Sequence, residues 1–155
     1  MSFKRILVPV DGSTMAAAGM AAAISMAKES GAKLKLLHIV DEYPAFATPD
    51  LGSAIGPLID SLRESGRTTL ETAMAQARAT GASPEAGLVE HFGGRVADAI
   101  AEQARAWDAD LIVMGTHGRR GVNRALMGSD AELVVRSSPI PVLLVPPAKR
   151  GAAAR

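Results

Sequence analysis

The sequence predicts an α/β fold built on a five-stranded, parallel, doubly wound sheet. Five short runs rich in Val, Ile and Leu recur along the chain, and segments with helical spacing stand between them. Several of the runs are nearly continuous in apolar character, as expected of parallel strands covered on both faces.

The strands are KRILVPV (4–10), KLKLLHIV (33–40), AGLVEHF (86–92), DLIVMG (110–115) and PVLLV (141–145). The first helix, 14–30, is rich in Ala and Met, has Ser13-Thr14 at its start as a cap and stops at Gly31. Residues 57–80 carry Leu58, Leu62, Leu70, Met74 and Ala77 along one stripe and stop at Gly81. Residues 95–106 place Val96, Ile100 and Ala104 on another, and 129–137 form a short last helix. The one long connection, 41–56, is of the length that usually carries function or mobility.

At 155 residues the chain suits one domain, 1–148, followed by a small, polar tail, 149–155, expected to be disordered. A net charge of +1 gives no electrostatic case for nucleic acid or an anionic membrane as partner. Aromatic residues at 3% also leave few stacking platforms for single strands. Without cysteine there is no disulfide, thiolate nucleophile or cysteine-ligated metal. The opening residues lack a signal-peptide layout, and the longest apolar stretch, 15–27, is short for a membrane span, so the cytoplasm is the expected location.

The chemistry points to the end of the fourth strand. In a doubly wound sheet ligands sit beyond the carboxyl ends of the strands, where strand order reverses. With the order 3-2-1-4-5 that place lies between strand 1, ending Pro9-Val10-Asp11-Gly12, and strand 4, ending Met114-Gly115-Thr116-His117-Gly118. Glycine there lets a ligand approach backbone amides. Gly128-Ser129 leads into the last helix, whose free N–H groups and positive dipole end suit a phosphate. Arg119, Arg120 and Arg124 stand between and offer charge neutralisation. Each glycine taken singly is also a plain turn residue, and Ser129 with Glu132 has the spacing of a capping box. Neither the P-loop pattern nor the dinucleotide fingerprint occurs.

Asp11 reads either as a ligand-contacting carboxylate or as a turn residue with Ser13, and His117 either as a site residue or as a solvated loop histidine. His38 reads as a hydrogen-bonded core histidine, and no spacing among the three histidines resembles a metal site. No nucleophile-plus-base arrangement is visible. The last strand is short, apolar and bracketed by prolines; as an exposed edge it calls for cover, and pairing with a second copy through 141–145 supplies it.

The spacing G-x2-G-x9-G-[S/T], here Gly115, Gly118 and Gly128-Ser129, resembles the ATP-binding signature of the universal stress protein family. KRILVPVDGS, LLHIVDE, ADLIVMGTHGRRG, LMGSDAELVV and SSPIPVLLVP are similar to that family in its order, over nearly the whole chain. The resemblance implies a flavodoxin-like or adenine-nucleotide-hydrolase-like sheet, a homodimer, and ATP, ADP or AMP as ligand, with Mg²⁺ as a companion. It puts Pro9, Val10, Asp11 and the backbone of Val40 at adenine and ribose. Met114, Gly115, His117 and Gly118 would line ribose and the first phosphates. Gly128, Ser129, Asp130 and Ala131 would hold the terminal phosphates, with Arg119 beside them. Asp130 departs from the pattern: a carboxylate next to the γ-phosphate position favours shorter phosphate chains unless a cation offsets it. The expected function is a nucleotide-binding stress-response sensor acting on an unknown protein partner. Its rivals are an interaction module that binds no nucleotide and a slow ATPase, whose base would be Asp11 or His117.

Overall fold

The apolar runs pair into one parallel sheet. The computed structural model describes residues 2–117 and 127–147. In chain order these form β1 (Arg5–Pro9), α1 (Thr14–Ser30), β2 (Lys33–Asp41), α2 (Tyr43–Phe46), a 3-10 turn (Gly52–Ala54), α3 (Ile55–Ala79), β3 (Glu85–His91), α4 (Val96–Ala106), β4 (Leu111–Gly115), α5 (Ser129–Ser137) and β5 (Val142–Val145). The strand order is β3-β2-β1-β4-β5 with every neighbour parallel, as the sequence predicts.

Alternate residues of the central strands feed two cores. Ile6 and Val8 pack with Met20, Ile24, Leu70 and Met74 beneath α1 and α3. Leu7, Leu37, Ile112 and Met114 pack with Ile100, Trp107 and Val134 beneath α4 and α5. Ile6, Leu7 and Val8 are wholly buried, and each such side chain contributes about 1.5–3 kcal/mol. Burial on both faces explains why these strands read as continuous apolar runs instead of alternating ones.

Local chemistry sets the helix ends. Ser13 caps α1, its hydroxyl accepting from the Ala16 amide at 3.1 Å, and Gly31 ends the helix with φ +71°. α3 starts at Ile55, two residues before the predicted boundary. Pro57 falls within its first turn, where the N–H that proline lacks has no intrahelical partner. The early turns of α3 overhang the sheet: Leu58, expected on the core stripe, is exposed, and burial begins at Gly66. The connection 41–56 is partly built, by α2 and the 3-10 turn. α5 spans Ser129–Ser137 as predicted, but its N-cap stands one residue before the expected Ser129. Gly128 is the N-cap, pinned by its amide to the Thr116 carbonyl at 2.8 Å, and Ser129 is already helical. The capping box between Ser129 and Glu132 is therefore not formed; the Glu132 amide donates to the Gly128 carbonyl instead. The tail 149–155 lies outside the described residues.

Candidate functional site

β1 and β4 leave the sheet side by side at the point where strand order reverses. Their ends, the first turn of α5 and one face of α4 enclose a narrow cleft of about 90 Å³. Eight of the residues singled out in the sequence line it: Pro9, Val10, Asp11, Met114, Gly115, His117, Asp130 and Ala131. Gly128 and Ser129 begin α5 at its rim. Val40 is not among the lining residues; its side chain is buried toward α3, where a Cβ on Gly66 would stand 2.7 Å from Val40 Cγ2. Gly118 and Arg119, with Arg120 and Arg124, lie outside the described residues.

Leu37, His38, Ile39, Ala16, Val96 and Ile100 also line the cleft. Sequence reasoning assigned Val96 and Ile100 to a core stripe, and they do pack into the core. The same i, i+4 spacing brings both to the cleft wall because α4 runs alongside it. No sequence motif marks them as anything but core.

The end of β1 is held by local hydrogen bonds. Asp11 Oδ1 accepts from the Ser13 amide at 2.9 Å, the turn role that the sequence offered as one of two readings, while the residue also lines the cleft. His38 is buried, with Nδ1 2.7 Å from the Val10 carbonyl, as expected of a core histidine. Residues 9–11 are thus tied to β2 from below and to α1 from the side.

Gly115 has a packing reason as well as a place in the cleft. A Cβ there would fall 2.6 Å from the Met15 carbonyl carbon, so only glycine lets α1 lie this close to β4. His117 is not a solvated loop residue: it is 9% exposed, with Nδ1 2.9 Å from Thr116 Oγ1. Its Nε2 is buried and has no hydrogen-bond partner among the described residues. A buried nitrogen in that state costs free energy unless a ligand, water or further residue meets it.

The start of α5 supplies the other polar element. Its first intrahelical bond is Glu132 N–H to the Gly128 carbonyl, so the amides of Ser129, Asp130 and Ala131 precede the ladder and are available to an acceptor at the helix end. Asp130 and Glu132 lie in the same turn and oppose an anion there. Among the described residues no group of three or more His, Asp or Glu side chains is placed to hold a metal ion.

The chain and its fold are similar to those of known proteins. The model of the universal stress protein family matches residues 2–146. A universal stress protein of Methanocaldococcus jannaschii is 36% identical over 149 residues, covering 96% of this chain and 85% of its own length. The structure of the universal stress protein UspA from Lactobacillus plantarum superposes with a TM-score of 0.77 at 28% identity, over 94% of this chain and 99% of that one. A universal stress protein solved in complex with cAMP superposes at 0.65 with 27% identity, over 96% of this chain and 100% of that one. With the family model spanning nearly its whole length, the chain belongs to the universal stress protein family.

Proposed function

We propose that the chain binds an adenine nucleotide at the β1–β4 cleft and acts in the cytoplasm as a homodimeric sensor in a stress response. The observation that carries the reading is the convergence of unpaired polar backbone with an apolar slot. The first turn of α5, whose leading amides have no backbone partner among the described residues, lines the cleft with the ends of β1 and β4, and Val96, Ile100 and Ile39 offer a wall for a base. The buried Nε2 of His117 adds a hydrogen-bonding group in want of a partner. The cAMP complex of the 27% identical relative supports the same ligand class. Mg²⁺ would arrive on the phosphates, with Asp11 and Asp130 as the carboxylates at hand. Among the described residues no helix is long and apolar enough to cross a membrane.

Chemical-shift mapping with ATP tests the reading. Shifts confined to 9–13, 38–40, 96–100, 114–117 and 128–131 support it; shifts elsewhere, or none at millimolar ATP, count against it.

A second reading has its own support. A cleft of about 90 Å³ is far below the ~300 Å³ or more of an ordinary small-molecule site, and Asp130 adds a carboxylate to its rim. On that reading the chain is an interaction module whose glycine-rich turn only connects β4 to α5. The two diverge in one respect: nucleotide binding must widen the cleft, and the interaction module has no need to.

A further inference from the structure

The chain has five aromatic side chains, and three of them stand exposed in one neighbourhood. Tyr43 and Phe46 on α2 are 53% and 50% exposed, and Phe92, just after β3, is 57% exposed. The rings of Phe46 and Phe92 lie 6.3 Å apart at 56°, so the patch spans two segments that are distant in sequence. Between and beneath them the usual order is inverted, since Glu42 is wholly buried. Its Oε1 takes Arg63 Nε at 3.1 Å, its amide donates to the His91 carbonyl at 3.0 Å, and its Oε2 has no partner among the described residues. Burying a carboxylate is costly; among the described residues its one ion pair ties the start of α2 to α3, while its amide ties it to β3. A glutamate turned inward and its aromatic neighbours turned outward describe a platform presenting apolar surface.

The surround is acidic. Residues 41–67 and 90–95 carry the carboxylates Asp41, Glu42, Asp50, Asp60, Glu64 and Glu90, of which Glu42 is buried, against the cations Arg63, Arg67 and Arg95, a local excess of negative charge in a chain whose net charge is +1. Asp60 and Glu64 are well exposed, and Glu90 stands two residues before Phe92. Carboxylates around an apolar centre disfavour phosphate backbones and anionic lipid headgroups. They also disfavour a second copy of this chain, because a twofold contact would set this acidic rim against itself. Apolar centre and acidic rim together fit the opposite charge pattern.

We propose that the Tyr43–Phe46–Phe92 platform docks a short segment of a partner protein whose apolar side chains are flanked by lysine or arginine. The platform is separate from the nucleotide cleft, and the proposal stands without nucleotide binding.

The test uses the full chain and two fluorescein-labelled synthetic peptides with the same Leu and Phe positions, one flanked by lysines and one by glutamates. Fluorescence anisotropy is expected to show saturable binding of the lysine peptide and binding at least about tenfold weaker for the glutamate peptide. The double variant Phe46→Ser/Phe92→Ser is expected to lose at least about tenfold in affinity for the lysine peptide. As a second variant that leaves the rings in place, Asp60→Lys/Glu64→Lys is expected to weaken the lysine peptide and strengthen the glutamate one. No saturable binding of the lysine peptide would overturn the proposal. So would equal affinity for both peptides, or affinities unchanged in both variants. Concentration-dependent self-association of the wild type that Phe46→Ser/Phe92→Ser removes, seen in sedimentation velocity, would give the face to a second copy and also overturn it.

Discussion

Gly19 of α1 and Gly115 of β4 lie backbone against backbone. A Cβ on Gly19 would stand 2.9 Å from the Gly115 nitrogen and 2.8 Å from the Met114 carbonyl carbon. One on Gly115 would strike the Met15 carbonyl. The helix therefore rests on the strand with no side chain between them, at the wall of the cleft. Gly19→Ala and Gly115→Ala are each expected to lower stability by about 1–3 kcal/mol in urea unfolding. Gly56→Ala, in the first turn of α3 with open space around it, is expected to be neutral or to stabilise by up to about 1 kcal/mol. Equal effects at all three positions would contradict the packing role.

Among the described residues Arg63 is the one cation that meets the buried carboxyl of Glu42, and it also meets Glu90. The hydrogen bond with Glu90 leads the causes that hold the guanidinium above its ordinary range, so it stays charged at every pH the fold survives. A raised folded-state pKa gives stability that is lost only as pH rises through that value; Arg63 therefore adds no pH dependence below the usual arginine range. Arg63→Met should lower stability, because it strands a buried carboxylate. Adding Glu42→Gln should restore a large part of this. Chemical denaturation of the two single variants and the double variant checks the coupling; strictly additive losses would refute it.

Ser129 is exposed in the first turn of α5, one residue past the N-cap, and its hydroxyl makes no capping bond among the described residues. Ser129→Glu puts a carboxylate where the helix dipole welcomes it, so the melting temperature should hold or rise slightly. The same charge would meet the phosphates, and nucleotide affinity should fall by about tenfold or more. Unchanged affinity would remove phosphate from the α5 terminus.

Asp130 bears on phosphate number. Asp130→Asn is expected to raise affinity for ATP more than for AMP, by several-fold without Mg²⁺ and by less with it. Equal changes for the two ligands would mean that the terminal phosphate lies elsewhere.

β5 is an edge strand, and Leu143 on it is 38% exposed. Leu143→Asp is expected to convert a dimer to a monomer in sedimentation velocity, with nucleotide binding retained. A wild type that sediments as a monomer, or a variant that remains dimeric, would move the contact away from this edge.

The sheet was legible in the sequence because burial on both faces writes strands as unbroken apolar runs. Val, Ile and Leu at 6–8 and 111–113 admit little else. The switch point followed from strand order, and with it the neighbourhood of Asp11 and Met114. What the pattern hid were features set by tertiary contact. Gly115 reads as a ligand glycine, but the proximity of Met15 gives it a second reason that sequence does not carry. His117 reads either as a site residue or as a solvated loop histidine, and its burial is not written in the sequence. With the Gly128 amide bonded to the Thr116 carbonyl, the N-cap of α5 falls on Gly128 in place of Ser129, and the capping box that local spacing favours is not formed. Glu42, a glutamate after a strand, gives no sign in sequence of being wholly buried.

The central claim is that the cleft between β1 and β4 accepts an adenine nucleotide, and calorimetric titration tests it most directly. Wild type and Ser129→Glu are titrated with ATP, ADP and AMP, each with and without Mg²⁺. The account predicts saturable binding to the wild type at one site per chain, weakened about tenfold or more in the variant. A folded wild-type protein that takes up none of the three, in either condition, would contradict it and leave the cleft as packing alone.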